Sequence, residues 1–499
     1  MSRRRRRVVG VRPQRRMEQR GRGPALWIAL LLLPVAGIGW AYVPLAPLTT
    51  HVPAAHRGPA TDGLPWISTL DGRMVDASGR TVLLRGFNVD ALLEPSVRHS
   101  DLTEADAALM QRSGVTAVRL PYSWALLEPT RGAVDPAYLD RLAAAVDLLA
   151  RHGIHTILAL HIRDWSAHYG GSGAPDWASA AVVPDVRFSG FPGNWGTHLN
   201  PAMNAATTYF WLSPDWQADY AFAWRAVAGR FRDDSAVAGY DLYNEPHPLP
   251  IPPRIFEQQL LWPFYARLVD AVGAVDPNHL FLVEGVFLGD DGTSMRPVAA
   301  PDLVYAPHVY TGSLVPPAFD GTDTAPLQGR IAGQASEAAQ LPAALFEGEL
   351  GFDRSQPHAG AWADAALDAL EDAGAGWAWW QWKESRAWGV VTADGAFVDT
   401  AWLAHLARPF LAAAPPGVAA DGHGDGVHGT LRIRVAPTHG AGIVEVSWPS
   451  ETLGDPATSG SCVASTAWTA ATARLTMTLT RAAGCEVSVT RAPAGSAPT

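Results

Sequence analysis

VAGYDLYNEPHP, residues 237–248, reads as a short buried strand that runs to Tyr243 and then breaks. Val237 to Tyr243 is largely apolar. Asn244-Glu245 follows, and Pro246 closes the run because it has no N–H to give a sheet ladder. Glu245 is thereby left at the tip of the strand, beside an asparagine able to hydrogen-bond a hydroxyl group. Taken alone, Asn-Glu-Pro reads equally as a surface loop. The pattern on either side decides between the two.

That pattern is an alternation. Val82 to Asn88, Val115 to Pro121, Ile154 to His161, Leu280 to Glu284, Leu303 to His308, Ala343 to Glu349 and Gly376 to Trp382 read as further strands, eight with 237–243. Helical stretches separate them. Leu102 to Ser113 has Thr103 as N-cap, and Tyr138 to His152 carries Leu139, Leu142, Val146 and Leu149 at helical spacing. Trp216 to Arg232 and Phe256 to Val275 are two more. Strands alternating with helices predict an α/β chain with a parallel sheet, and eight repeats predict a closed (β/α)8 TIM barrel over residues 64–412.

Active sites of such barrels lie at the C-terminal strand ends. The polar residues predicted there are Asn88, Arg119, His161, Asn244 with Glu245, Glu284, His308 with Tyr310, Glu349, and Trp380 with Trp382. Cutting a glycosidic bond requires one carboxylic acid to protonate the leaving oxygen and one carboxylate to attack or to activate water. Glu245 and Glu349, on the fourth and seventh strands, are the candidates. Side chains alternate along a strand, so Glu347 could share a face with Glu349. Glu349 is nearer the tip and is preferred.

This set resembles glycoside hydrolase family 5, a family of clan A retaining glycosidases. The finer likeness is to its endoglycoceramidase branch, carried by GGSGAPDWA (170–178), by 209–246 and by 256–285. The resemblance implies Glu245 as acid/base and Glu349 as nucleophile, with carboxyl groups about 5 Å apart. It places Asn244, Arg119, His161, His308 and Tyr310 around them, with Trp380 or Trp382 as the strand-eight tryptophan. Arg119 and Tyr310 would keep Glu349 ionised. It implies no cofactor and no metal ion. Two positions depart from the branch. His161 is followed by Ile162-Arg163, so the expected aspartate falls one place late, at Asp164. Asn88-Val89 runs into Asp90-Ala91-Leu92-Leu93 without the branch's lysine. Both positions face the sugar in the branch, so the expected substrate is a glycolipid or oligosaccharide of unassigned sugar. Leu92, Leu93, Phe188, Phe191 and Trp195 either line an apolar channel for a lipid tail or pack the 162–215 insertion. A β-glucanase or β-glucosidase, and a non-catalytic glycan-binding protein on the same barrel, are the alternatives.

Ten arginines against one glutamate in residues 1–24 conceal a body of net charge −19 beneath the chain's −10. An acidic body is a poor partner for nucleic acid. After that basic tail, 25–43 runs without a charge for 19 residues, enough to span a bilayer core. The arginines before it orient the tail to the cytoplasm. The expectation is a signal anchor in the cell membrane with the catalytic body outside, or a cleaved signal peptide and a secreted body. Residues 44–63 read as a flexible stalk.

Beyond the barrel, 413–429 reads as a linker and 430–492 as a small β-sandwich. The only cysteines, Cys462 and Cys485, fall there, and a disulfide between them is expected in an exported chain. Most of the twenty tryptophans are expected in the core.

Overall fold

The computed structural model describes residues 46–98, 100–179, 183–186, 199–286, 294–315, 317–384, 387–437, 442–480 and 484–493. The basic tail, the apolar segment 25–43, Phe188, Phe191 and Trp195 lie outside the described residues. Among the described residues, no helix is long and apolar enough to cross a membrane.

Eight parallel strands close into a barrel: β1 (Arg85–Asn88), β2 (Ala117–Tyr122), β3 (His155–Leu160), β4 (Val237–Asp241), β5 (Leu280–Val283), β6 (Leu303–Tyr305), β7 (Ala344–Leu350) and β8 (Gly376–Trp379). Each pairs with the next, and β8 returns to β1 with Trp377 opposite Arg85. β6 resumes at His308–Val309, where His308 sits opposite Glu349. Ala117, Ile157, Ala238, Leu282, Val304 and Phe346 fill the interior. Helices cover the outside, so both strand faces are buried and the strands read as nearly continuous apolar runs.

Local chemistry starts the helices. Thr103 and Asp106 form a capping box at α1 (Glu104–Arg112), each side chain taking the other's backbone N–H. Asp135 caps α2 (Pro136–Arg151), whose Pro136 stands where its missing N–H costs nothing. Ser213 ends α3 (Pro201–Leu212) and caps α4 (Pro214–Phe231). The stretch expected as one helix from Phe256 divides into Pro253–Phe256, a π turn at Glu257–Leu261, and α5 (Trp262–Gly273). Pro263 has no N–H for the carbonyl four residues back, so a regular ladder cannot pass it. α6 (Ala325–Gln340), α7 (Ala359–Asp372) and α8 (Thr400–Leu406) follow β6, β7 and β8.

Among the described residues no helix lies between β5 and β6. There Val298–Ala299 pairs with Leu48–Thr49, from the segment expected as a stalk. The segment continues along the strand-start end of the barrel. His56 N donates to Asn278 Oδ1 at 2.6 Å, Arg57 Nη2 meets Asp302 Oδ2 at 2.8 Å, and Thr61 N donates to Ser235 Oγ at 2.7 Å. Val52 packs over Gly273, where a Cβ would come within 2.7 Å of it. Backbone-to-side-chain bonds of this kind leave no periodicity, which is why a Pro/Ala/Thr-rich stretch reads as a free linker.

The C-terminal strands form two antiparallel sheets. The first takes strands from both sides of the barrel sequence: Ile67–Leu70, Arg73–Asp76 and Thr81–Val82 join Phe410–Ala414, Gly442–Ser447, Arg474–Leu479 and Val463–Thr469. The second holds Val418–Ala420, Thr430–Val435, Cys485–Arg491 and Pro456–Ser459. Residues 413–429, expected as a linker, therefore contribute to both sheets. Leu411, Val444, Trp448 and Met477 from the first pack with Ile433 and Val487 from the second. Cys462 and Cys485 are joined in a disulfide.

Candidate active site

The strand ends converge on Arg119, a fully buried residue of β2. Its guanidinium makes four bonds at once. Nε donates to Asp241 Oδ2 at 2.7 Å, Nη1 to Glu349 Oε1 at 2.6 Å and Asn88 Oδ1 at 3.0 Å, and Nη2 to Asn244 Oδ1 at 2.8 Å. A planar fork of donors suits four acceptors arriving from β1, β4 and β7. Burial disfavours the guanidinium charge, but Asp241, Glu349 and Glu284 outweigh it and raise its pKa.

Glu349 is held from three further sides. Tyr310 Oη donates to Oε2 at 3.0 Å, His161 Nε2 lies 3.6 Å from Oε1, and His308 Nδ1 lies 3.7 Å from Oε2. Burial pushes this carboxyl up, yet His308, His161 and Arg119 together hold it well below its ordinary value. Glu349 is ionised at neutral pH. Tyr310, raised by burial and by Glu349 and Glu245, stays a hydrogen-bond donor.

Glu347 goes elsewhere. Ala344 and Phe346 point into the barrel, while Glu347 faces α6, where Gln334 Nε2 donates to it at 3.3 Å. Plain alternation would then send Glu349 outward too. The register shifts between Glu347 and Leu350, and that irregularity turns Glu349 to the mouth. The sharing of a face by the two glutamates, expected from strand periodicity, is thus corrected. Burial raises the Glu347 carboxyl well above its usual range.

Glu245 stands across from Glu349. One carboxylate oxygen of each, with a ring nitrogen of His308, lie within 4.8 Å of one another. Glu245 has a φ of 49°, in the left-handed region. For a non-glycine residue that strain costs ~1–3 kcal/mol and is kept where surrounding structure overrides it. His308 Nδ1 lies 3.0 Å from Glu245 Oε1. Burial opposes the imidazolium, but Glu284, Glu349 and Glu245 prevail and raise His308 to about 10. Such a trio has the reach to hold a cation. An imidazole 3.0 Å from one carboxylate and 3.7 Å from the other equally suits the handling of a proton.

The remaining expected residues divide. Asn244 is buried, accepting from Arg119 and donating from Nδ2 to Ile162 O at 3.0 Å. Trp380 is half-buried and stacks on His161 at 5.8 Å between centroids, and its peptide bond to Gln381 is cis. Trp382 is not part of the site. It is buried, edge-on to Phe87, and its Nε1 donates to Asp106 Oδ1 at 3.1 Å. Asp164 lies in the loop after β3 with its carboxylate buried, 3.7 Å from Arg163 Nε. Leu92 and Leu93 are buried core residues rather than channel lining. The expectation that most tryptophans are core holds for Trp124, Trp224, Trp262, Trp362, Trp379 and Trp448.

Two residues escaped the sequence reading. Asp241 anchors Arg119, and its carboxyl is raised because burial outweighs Arg119's pull. A lone aspartate in an apolar strand, three before Asn244, was the available signal. Trp388 lies beside Tyr310 at 6.3 Å and against Gly351. No periodicity marks it.

Two carboxylates under 5 Å apart at the mouth of a (β/α)8 barrel, one ionised by an arginine and a tyrosine, define a carbohydrate-cleaving site. The sequence model of the cellulase family, glycosyl hydrolase family 5, matches residues 75–386, and the chain belongs to that family. It is 38% identical over 188 residues to endoglycoceramidase I of Rhodococcus hoagii, covering 36% of this chain and 38% of that one. It is 30% identical over 248 residues to an endoglycoceramidase of Cyanea nozakii, covering 43% and 49%. The matches thus span less than half the length of these two relatives. Among solved structures, endo-glycoceramidase II from Rhodococcus sp. superposes with a TM-score of 0.73 at 27% identity, over 84% of this chain and 99% of that one. Structures of that enzyme include a lactosyl-enzyme intermediate and a complex with ganglioside GM3.

Proposed function

We propose that this chain is a retaining β-glycosidase acting on a glycolipid of the glycosylceramide type. Glu349 attacks the anomeric carbon as Glu245 gives its proton to the glycosidic oxygen. The lipid alcohol leaves, and a glycosyl ester to Glu349 remains. Glu245, now a carboxylate, takes a proton from water as that water attacks the same carbon. The sugar departs with its configuration retained and Glu349 is freed.

The observation that carries this reading is the Glu245–Glu349 approach within 4.8 Å. An inverting pair would leave ~6.5–9.5 Å for a water molecule. Arg119 and Tyr310 support Glu349 as the group that must be charged. The glycolipid part rests on the endoglycoceramidase relatives. Arg163 and the absence of a lysine after Val89 leave the sugar to be found by assay. Membrane attachment through 25–43, with the barrel outside, belongs to the same reading, as does a sandwich description of the C-terminal sheets.

The test is hydrolysis by residues 46–499 of glucosylceramide, galactosylceramide, longer glycosphingolipids, aryl β-glycosides and soluble β-glucans. Release of ceramide that vanishes in Glu349→Gln is expected. Activity on glucans alone would transfer the enzyme to the β-glucanases of the family. Sugar binding without turnover would leave a glycan-binding protein.

A further inference from the structure

One carboxylate at the barrel mouth has no part in the mechanism above. Glu284, just past the end of β5, is buried with 3% of its side chain exposed. Its Oε1 lies 3.6 Å from His308 Nε2, an ion-pair distance, and among the described residues neither of these two buried atoms has a hydrogen-bond partner. The other ring nitrogen, Nδ1, is the one 3.0 Å from Glu245 Oε1. The imidazole therefore stands between two glutamates, one at each nitrogen. Its seat is tight. A Cβ on Gly348 would come 3.1 Å from Nε2, so the strand bearing Glu349 passes directly under the ring. Gln334 Nε2 holds the backbone behind it by donating to His308 O at 3.1 Å.

Other buried groups stand nearby. The Glu284 backbone N donates to Tyr265 Oη at 3.3 Å. The charges of Arg119, Asp241 and Glu245 all act on the Glu284 carboxyl. Both Nε2 of His308 and Oε1 of Glu284 are buried, and Glu284 is the carboxylate facing that nitrogen.

Resting on the retaining-glycosidase reading, we propose that Glu284 is a positioning residue that orients His308 toward Glu245, and so serves the proton-transfer half of the reaction. An imidazole anchored at Nε2 keeps Nδ1 aimed at Glu245 whether that carboxyl is protonated or not. A ring without this anchor can turn about its bond to Cβ, and Glu245 then loses its one close side-chain partner among the described residues. Glu349 keeps Arg119 and Tyr310 as direct hydrogen-bond partners when Glu284 is changed.

Leaving-group chemistry separates this role from a structural one. A 2,4-dinitrophenyl glycoside expels its aglycone without protonation, whereas an alkyl glycoside or a glycosylceramide needs the acid. Acid–base catalysis contributes roughly 10²–10⁴-fold, so Glu284→Gln should lower kcat/KM for the alkyl substrate by about 10- to 100-fold. The dinitrophenyl value should stay within about threefold of the parent, since acid–base catalysis is not called on there. Glu284→Asp, which keeps a carboxyl at shorter reach, should fall between for the alkyl substrate. Equal losses on both substrates, or no loss on either, would overturn the proposal. An unaltered enzyme inactive on both substrates would instead sink the glycosidase reading itself.

Discussion

Replacing Arg119 with lysine keeps the positive charge and removes the fork. The guanidinium bonds Asp241 through Nε, Asn88 and Glu349 through Nη1, and Asn244 through Nη2, all in a fully buried setting. A lysine ammonium has three donors at one point, and Asp241 and Glu349 are served by different nitrogens. At least two of the four bonds are lost. Hydrogen bonds involving a charged group contribute ~1.5–3 kcal/mol each, so the variant should lose about 3–6 kcal/mol of stability. The lower end is expected, because Asp241, whose carboxyl burial already raises, can take up a proton instead of remaining a lone buried charge. Activity should suffer more than stability suggests. Glu349 loses the partner that aims Oε1, and a misplacement of about 1 Å can cost on the order of 10²-fold in rate. Urea unfolding followed by tryptophan fluorescence, with kcat/KM on a dinitrophenyl glycoside, measures both. A variant within about 0.5 kcal/mol of the parent and within about threefold in kcat/KM would refute the reasoning, since so small a cost belongs to a surface substitution and not to a buried hub.

The two strand-eight tryptophans should behave oppositely. Trp382→Ala opens a hole between β1 and α1 and should cost ~3–5 kcal/mol; Trp380→Ala should change the urea midpoint much less while raising KM, because its half-buried ring stands beside His161 at the barrel mouth. Stability should also depend on pH through His308. Its folded pKa, about 10, lies above the ordinary 6.5, so its contribution is fully present below about 6.5 and declines as pH rises toward 10. Glu349 works the other way, contributing above its ordinary 4.5 and losing that contribution as pH falls below it. Urea midpoints from about pH 4 to about pH 10 should therefore trace a plateau with a fall at each end, and His308→Asn should flatten the alkaline fall. Finally, Cys462 and Cys485 are 23 residues apart, and replacing both with alanine should cost about 3 kcal/mol in denaturation while sparing kcat/KM.

The barrel and most of its site were legible in order along the chain. Eight apolar runs separated by helical periodicity allow little besides a closed parallel sheet, and the C-terminal strand ends are then known by position. Asn244, Glu245, His308, Tyr310 and Glu349 could be named because each directly ends or follows such a run. Relations that depend on three dimensions were not legible. The choice of Glu349 over Glu347 rests on a register shift in β7, which two-residue alternation hides. Trp380 and Trp382 look alike in sequence, and only the turn of the chain sends one to His161 and the other to Asp106. The 46–63 segment shows no periodicity because its bonds run from backbone to single distant side chains such as Asn278. The first sheet of the C-terminal pair joins strands some 330 residues apart, Thr81–Val82 beside Phe410–Ala414. What the sequence by itself determined is the set of groups at the barrel mouth, since periodicity is a local property. The tertiary structure alone decided how they divide the work, because ionisation and aim depend on which charges, brought from distant strands, stand within a few ångströms of each other.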